Sequence, residues 1–194
     1  MKPFKDYETT QTYKQRPQLP VGGYILKVKD ARIDNENTQY EKLVIFFDIE
    51  EGPFRNFYAD DYRSQTGEDK KWKGAFRLWT PKDDGSEQDD WAKRRFKTVM
   101  ETFEECNEGF HWDWDEKKLK NLTVGGVFNR KEYEFNGRRG FFTQCKYLTS
   151  VDAIEKNTFK QPADDYLKDA SPAADQADEF MKVSDSLIED LPFQ

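Results

Sequence analysis

The chain has 194 residues, of which 36% are hydrophobic, 36% charged and 15% aromatic, and its formal net charge is −7. This length accommodates one ordinary domain with some appended chain, and the share of Phe, Tyr and Trp excludes a wholly disordered protein, because disordered chains are poor in aromatic residues. No run approaches the roughly 20 apolar residues that span a bilayer, and residues 1–20 lack the apolar core of a signal peptide, so we expect a cytoplasmic protein.

Two runs near the start alternate apolar and polar residues as β-strands do. The first run, 22–33, has one apolar side, formed by Tyr24, Leu26 and Val28. The second run, 40–52, has a longer apolar face, formed by Leu43, Ile45, Phe47 and Ile49. We predict that these two strands form a meander, followed by a third strand over 54–62 and an elaborated loop over 63–84.

From Asp89 the apolar period lengthens to that of an amphipathic helix. Its apolar face is formed by Trp91, Phe96, Val99, Met100 and Phe103. Acidic residues suit the start of this helix, and Asn107 or Gly109 suits its end.

Two further strand-like runs, 122–135 and 139–151, flank the pair Asn136-Gly137. Asn-Gly between strands predicts a tight hairpin, because both residues tolerate positive φ. The apolar pattern then fades: four lysines and nine acidic residues give 156–194 a charge of −5, which leaves −2 for 1–155. We predict a folded domain over 1–155 and a flexible acidic tail over 156–194.

The predicted order is three strands, a helix and two strands. This is the element order of the OB-fold, whose strands and loops bind oligonucleotides or oligosaccharides in many proteins. We therefore predict a mainly β fold: an OB-fold five-stranded Greek-key barrel with one helix between strands 3 and 4, and a disordered acidic C-terminal tail.

A hairpin loop of two residues, Asn136-Gly137, or of four, 136–139, would place the same basic and aromatic side chains on one face, because the two loops give the same parity. That face carries Asn129, Lys131, Tyr133, Phe135, Arg138, Phe142, Gln144 and Lys146, and the turn adds Arg139. The second strand adds Tyr40, Lys42 and Phe46, and the loop before the helix adds Lys71, Trp72, Lys73, Arg77 and Trp79. Single-stranded nucleic acid needs this mixture, since cations follow its phosphates and flat rings stack on its bases.

A purely structural interpretation competes with each of these assignments. A three-residue loop would reverse the parity and turn Tyr133, Phe135 and Phe142 into the core. Under the same interpretation Trp72 and Trp79 close one end of the barrel, and the strand lysines are only solvated.

Catalytic interpretations find little support in the sequence. The adjacent carboxylates Asp60-Asp61 and Asp89-Asp90 come without a pattern of metal ligands. One histidine and two cysteines cannot supply a four-ligand zinc site without carboxylates, and Gly22-Gly23 lacks the spacing of a phosphate loop. We expect a protein that is not an enzyme and that has no metal and no cofactor.

Three segments carry a resemblance to a known family: LPVGGY at 19–24, FFDIEEGPFRNFY at 46–58 and EYEFNGRRGFFTQCKYLTSVDAI at 132–154. With them the body resembles phage and prophage single-stranded DNA-binding proteins of the OB-fold class, in particular small ones that begin with an LPxGGY-like motif. The resemblance implies sequence-independent binding of single-stranded DNA in phage DNA replication, recombination or repair, in the cytoplasm of the bacterial host.

The ending EDLPF resembles the acidic tip with which bacterial single-stranded DNA-binding proteins recruit replication and repair enzymes. The residues concerned are Glu189, Asp190, Leu191, Pro192 and Phe193. In that family the tip usually ends on Phe, whereas here Gln194 follows. A tethered acidic segment also competes for a cationic groove, so we expect the tail both to regulate DNA binding and to recruit replication or recombination proteins.

Two other functions stay open from the sequence. One is an OB-type interaction adaptor of a recombinase or replisome that does not bind DNA. The other is a metal-dependent nuclease that would use Asp60 and Asp61. The tail has its own alternative, because an apolar series at helical spacing would let it dock on the body: Phe180, Val183, Leu187, Ile188 and Leu191. Homo-oligomerisation is also left open.

Overall fold

A computed structural model describes residue 3 and residues 5–9, 17–35 and 41–167. Within these ranges the protein has five strands, three α-helices and one 3₁₀ turn. The strands are β1 Gly22–Asp34, β2 Lys42–Ile49, β3 Ala75–Trp79, β4 Thr123–Phe135 and β5 Arg138–Thr149. The helices are α1 Phe57–Ser64, α2 Glu87–Cys106 and α3 Val151–Glu155, and the 3₁₀ turn is Glu116–Leu119.

The five strands form one antiparallel sheet in the order β3-β2-β1-β4-β5. The edge strands β3 and β5 have Cα atoms within 8 Å of each other, but they share no hydrogen-bonded register, so the sheet curls without closing. The predicted mainly β architecture, with its long helix between the third and fourth strands, is confirmed at this level.

One face of the sheet forms the hydrophobic core, and the predicted alternation of the first two strands is confirmed. All four apolar residues of the β2 face are at most 1% exposed: Leu43, Ile45, Phe47 and Ile49. In β1 the register shifts between Val28 and Asp30, which brings Ala31 to the core face. This bulge reverses the parity of the second half of β1.

The third strand is Ala75–Trp79, and the prediction of a strand over 54–62 is wrong because most of that run forms helix α1. The cause is the buried carboxylate of Asp48 at the end of β2. It accepts the backbone N–H groups of Ile49, Tyr58 and Ala59 at 2.9, 3.0 and 3.1 Å. A carboxylate satisfies the otherwise unpaired amides at a helix N-terminus and interacts well with the helix dipole.

The chain enters β3 through a close contact with β2. The Trp72 indole N–H donates to the carbonyl oxygens of Phe47 at 3.0 Å and of Gly74 at 3.1 Å. A Cβ at Gly74 would lie 2.3 Å from the Phe47 oxygen, so only glycine fits this approach. The run predicted as a loop thus contains the edge strand of the sheet.

Helix α2 covers one end of the core. Ser86 caps it by accepting the N–H of Asp89, and the buried face includes Phe96, Val99 and Phe103, as predicted. Trp91 was predicted on this face, but it is 47% exposed. It precedes Phe96 by five residues, which in an α-helix turns its side chain roughly 140° away.

Packing against the sheet continues past residue 155, where the composition placed the start of the tail. Residues 156–167, called the docked segment below, follow α3, and from Gln161 onward they lie along β4. Gln161 donates to the carbonyl of Phe128 at 2.8 Å, and Asn129 donates to that of Ala163 at 2.7 Å. The remaining tail residues, 168–194, lie outside the described residues.

None of the helices in the described ranges has the length and apolar character needed to cross a membrane.

We expect Asp48→Ala to lower the free energy of unfolding by about 3 kcal/mol or more, because three largely buried amides lose a charged acceptor at once. Urea denaturation measures this change. Asp60→Ala is the control within helix α1, whose first amides Asp48 accepts: Asp60 is exposed and pairs with Arg63, so we expect a change below about 1 kcal/mol. Equal effects of the two substitutions would contradict the role given to Asp48.

Candidate nucleic-acid interface

The β4–β5 hairpin is closed by a two-residue turn. Asn136 has φ 50° and Gly137 has φ 72°, the left-handed conformations that a tight hairpin turn of this type requires. Phe135 therefore lies opposite Arg138, Tyr133 opposite Gly140 and Lys131 opposite Phe142. This confirms the hairpin and the parity that was predicted from the Asn-Gly pair.

One face of this hairpin combines rings and cations, as predicted. We call it the hairpin patch, and it consists of Lys131, Tyr133, Phe135, Arg138, Phe142 and Lys146. Arg138 is exposed and the other five residues are partly exposed. The alternative that the three rings belong to the core is therefore wrong, because each of them retains contact with solvent.

Two rings of this patch, those of Tyr133 and Phe142, lie near Gly140, which is opposite Tyr133 in the hairpin. Tyr133 and Phe142 have ring centroids 6.2 Å apart with an angle of 45° between their planes. A Cβ at Gly140 would lie 2.8 Å from both Cζ and Oη of Tyr133. Because Gly140 has no side chain, the Tyr133 ring can lie directly against its backbone.

The structure separates Arg139 from this surface. In the hairpin register Arg139 lies opposite Glu134, on the other face, and its Nε donates to the Glu134 carboxylate at 3.0 Å. Its guanidinium also lies 3.9 Å from Glu132. Adjacent strand residues point to opposite faces, so Arg138 and Arg139 cannot belong to one patch.

A second mixed surface lies on the outer face of β1, β2 and β3. We call it the sheet patch, and it consists of Arg32, Lys42, Phe46, Arg77 and Trp79. The Arg32 guanidinium lies 4.9 Å from the centre of the Phe46 ring, and Lys42 Nζ lies 4.5 Å from that of Trp79. These cation–π contacts hold the rings beside the charges while leaving both partly exposed.

The two patches adjoin, because the curl of the sheet brings β3 towards β5. Burial lowers the pKa of the Lys131 ammonium; Asp165 raises it, and the neighbouring charges of Lys146 and Arg77 lower it. Arg77 of the sheet patch therefore lies within electrostatic reach of Lys131 in the hairpin patch. Asp30 and Asp34 lie beside the sheet patch, opposite Phe46 and Lys42, and Asp165 lies beside Lys131 of the hairpin patch.

The group at 71–73 is tied to helix α1. Lys73 Nζ lies 3.4 Å from the Asp61 carboxylate, and the Lys71 backbone N–H donates to Gln65 at 2.9 Å. Trp72 is partly buried and uses its indole N–H within the protein. These contacts fix the connection between α1 and β3. Lys71, Trp72 and Lys73 precede β3, so they do not belong to the paired strand residues that form the two patches.

The five residues of the predicted partner-binding tip, 189–193, and Tyr40 of the predicted surface lie outside the described residues. Arg32 is a member that the sequence did not reveal, because the bulge in β1 decides which way it points. Asp165 was also missed, since the acidic composition of 156–194 assigned it to the tail.

The adjacent carboxylates have structural partners. Asp60 pairs with Arg63, and Asp61 accepts from Gln65 at 2.9 Å. Asp89 is buried and accepts the N–H groups of Lys82 and Asp83 at 2.7 and 3.1 Å. Across the described ranges no three His, Cys, Asp or Glu side chains are grouped so that they could hold a metal ion.

Neither the models of known protein families nor the curated proteins compared with this sequence gave a match.

We expect Gly140→Ala to displace the Tyr133 ring and to lower the free energy of unfolding by about 1 kcal/mol, as overpacking of a partly exposed contact does. Urea denaturation measures the loss, and the nuclear Overhauser effect between the Tyr133 and Phe142 rings should weaken. In a Tyr133→Ala background the same substitution should cost much less, because the ring it meets is gone. An equal cost in both backgrounds would show that Gly140 does not accommodate Tyr133.

Proposed function

We propose that this protein binds single-stranded DNA, without catalysis and largely independently of sequence, through the hairpin patch and the sheet patch. One observation carries the proposal: six cations and five partly exposed aromatic rings lie on adjoining surfaces of one sheet. The cations are Arg32, Lys42, Arg77, Lys131, Arg138 and Lys146, and the rings are those of Phe46, Trp79, Tyr133, Phe135 and Phe142.

This combination of side chains matches the chemistry of unpaired nucleic acid. Lysine and arginine neutralise phosphates whatever the base, and aromatic rings stack on any base because every base has a π-face. In a duplex the bases are already stacked on one another, so the rings would have nothing to bind. The surface therefore favours single strands over duplex.

The topology supports an OB-type barrel as the finer description of the fold. The strand order β3-β2-β1-β4-β5, the helix between β3 and β4, and the approach of β3 to β5 agree with a partly open five-stranded barrel. In such barrels the middle strands and the β4–β5 loop form the usual oligonucleotide site. The sheet patch includes residues of β2 and β3, and the hairpin patch extends from the β4–β5 turn along both strands, which supports this description.

The LPVGGY motif, on which the resemblance to phage proteins partly rests, has a structural role. Leu19 is 3% exposed, and the Tyr24 ring packs edge-on against Phe128 with centroids 5.3 Å apart. Gly23 lies against Phe159, so that a Cβ there would come within 2.6 Å of that ring. The motif therefore packs the start of β1 against the core. The proposal also includes a role in phage replication or recombination in the host cytoplasm.

We expect the protein to bind fluorescently labelled oligo-dT more tightly than duplex of the same length, with an affinity that falls as salt rises. If four or five of the six cations contact phosphates, the slope of log K against log salt should be roughly −3 to −3.5. Fluorescence anisotropy measures both quantities. Equal affinity for duplex, or no binding at low salt, would contradict the proposal and favour an interaction adaptor that does not bind DNA.

Neighbouring phenylalanines provide a matched test of which face binds. Phe142→Ala should weaken oligo-dT binding by about 1 to 3 kcal/mol, the value of one base stacked on a ring. Phe141→Ala should have little effect on binding, because Phe141 lies on the other face, where it contacts Arg130 and Tyr166. If Phe141→Ala weakens binding as much as Phe142→Ala, the proposed face is wrong.

The proposal includes a regulatory and recruiting role for the tail. Residues 168–194 carry two lysines and seven acidic residues, and a tethered acidic segment competes for cations at an effective concentration set by its tether. The tip at 189–193 is the proposed contact for replication or recombination proteins.

We expect truncation after residue 167 to tighten oligo-dT binding at low salt and to leave the melting temperature unchanged, since the docked segment remains. Anisotropy and circular dichroism measure the two effects. A control in which the seven acidic residues of 168–194 become Asn or Gln should tighten binding equally. Unchanged affinity in both proteins would remove the tail from the regulation of binding.

A further inference from the structure

The docked segment continues the sheet beside β4, beyond the end of β1. Asp165 forms a parallel bridge with Lys131. Its backbone N–H donates to the Arg130 carbonyl at 2.9 Å, and its carbonyl accepts the Glu132 N–H at 2.8 Å. Two backbone hydrogen bonds thus fix where the side chain of Asp165 lies.

The Asp165 carboxylate lies on the hairpin patch and is held there by two side chains of β5. Lys146 Nζ lies 2.9 and 2.8 Å from its two oxygens, and Gln144 Nε2 donates to one of them at 2.8 Å. The Lys131 ammonium acts on the same carboxylate through its charge. We call Lys131, Gln144 and Lys146 the anion cradle.

A buried asparagine holds the anion cradle in place. Gln144 Nε2 also contacts the Asn129 side-chain oxygen at 3.3 Å, and Asn129 is completely buried and donates to the docked segment. The cradle is nevertheless open to solvent, because the side chains of Lys146 and Asp165 are 35% and 33% exposed. A ligand can therefore reach these donors without opening the core.

We propose that the anion cradle is a phosphate-binding subsite for the DNA backbone, and that the Asp165 carboxylate occupies it until a phosphate replaces it. This inference rests on the proposed function. A phosphodiester carries one negative charge and two exposed oxygens, as a carboxylate does, and both accept hydrogen bonds from ammonium and amide groups. The cradle adjoins the rings of the hairpin patch, since Lys131 lies opposite Phe142 and Gln144 is the next residue of β5 on the same face.

The chain provides an internal control in the residue beside Asp165. Asp164 also lies in the docked segment, but it pairs with Arg130, whose Nε donates to it at 3.0 Å. Arg130 contacts Phe141 and so belongs to the other face of the hairpin. Of two adjacent carboxylates in the same segment, only one occupies the proposed binding surface.

Asp165→Asn should tighten oligo-dT binding about two- to fivefold at low salt, because it removes the competing charge of a partly exposed ion pair. It should also make the salt slope steeper, because in the wild type rising salt weakens the competing ion pair of Lys146 with Asp165 and so offsets part of the loss of binding. Asp164→Asn should change neither quantity. Fluorescence anisotropy over a salt series measures both, and circular dichroism establishes that each variant is folded.

A double-mutant cycle tests whether Asp165 acts through Lys146. Lys146→Gln should weaken oligo-dT binding more in the Asp165→Asn protein than in the wild type, where Lys146 is already neutralised. Equal losses in the two backgrounds would overturn the proposal.

A measurement on the unmodified protein avoids any effect of substitution on folding. On titration with oligo-dT the ¹³Cγ resonance of Asp165 should shift as its carboxylate leaves the cradle, and that of Asp164 should not. If the wild type binds no oligo-dT, the proposed function fails first. If it binds while the Asp165 resonance and the Asp165→Asn affinity stay unchanged, the DNA-binding proposal stands and the anion cradle does not.

Discussion

The register of the β4–β5 hairpin is the constraint on which the surface described above depends. It is set by two residues with positive φ, Asn136 and Gly137, which allow the strands to pair without a longer loop. Side chains alternate along a strand, so one additional residue in the turn would exchange the two faces of β5 relative to β4. Phe142 would then lie where Phe141 does, and the rings and cations would no longer share a surface.

The distribution of charge matters more here than its sum of −7. The structure uses two aspartates inside the fold, where Asp48 satisfies amides at the start of α1 and Asp89 satisfies the loop before α2. Other acidic residues pair with cations on the face away from the rings, as Glu134 does with Arg139. The outer face of the sheet is left with more cations than anions, although the chain as a whole is acidic.

The docked segment contacts both faces of the β4–β5 hairpin. Its backbone extends the sheet at β4, and its two neighbouring aspartates point to opposite faces, as alternate residues of an extended chain do. Asp164 stabilises the hairpin through Arg130, whereas Asp165 occupies cations of the candidate interface. Two adjacent residues thus contact opposite faces of the hairpin, and only Asp165 has the regulatory role that we propose.

The sequence by itself determined the elements whose signal is local: the alternation of β1 and β2, the apolar face of α2 and the Asn-Gly hairpin. These follow from backbone geometry and side-chain periodicity within a few residues. Only the tertiary structure decided that 57–64 is a helix, because its start is fixed by the distant carboxylate of Asp48. It also decided the direction of Arg32 through a bulge and brought Asp165 to Lys146, since such contacts depend on how separate strands pair and leave no periodic trace in the chain.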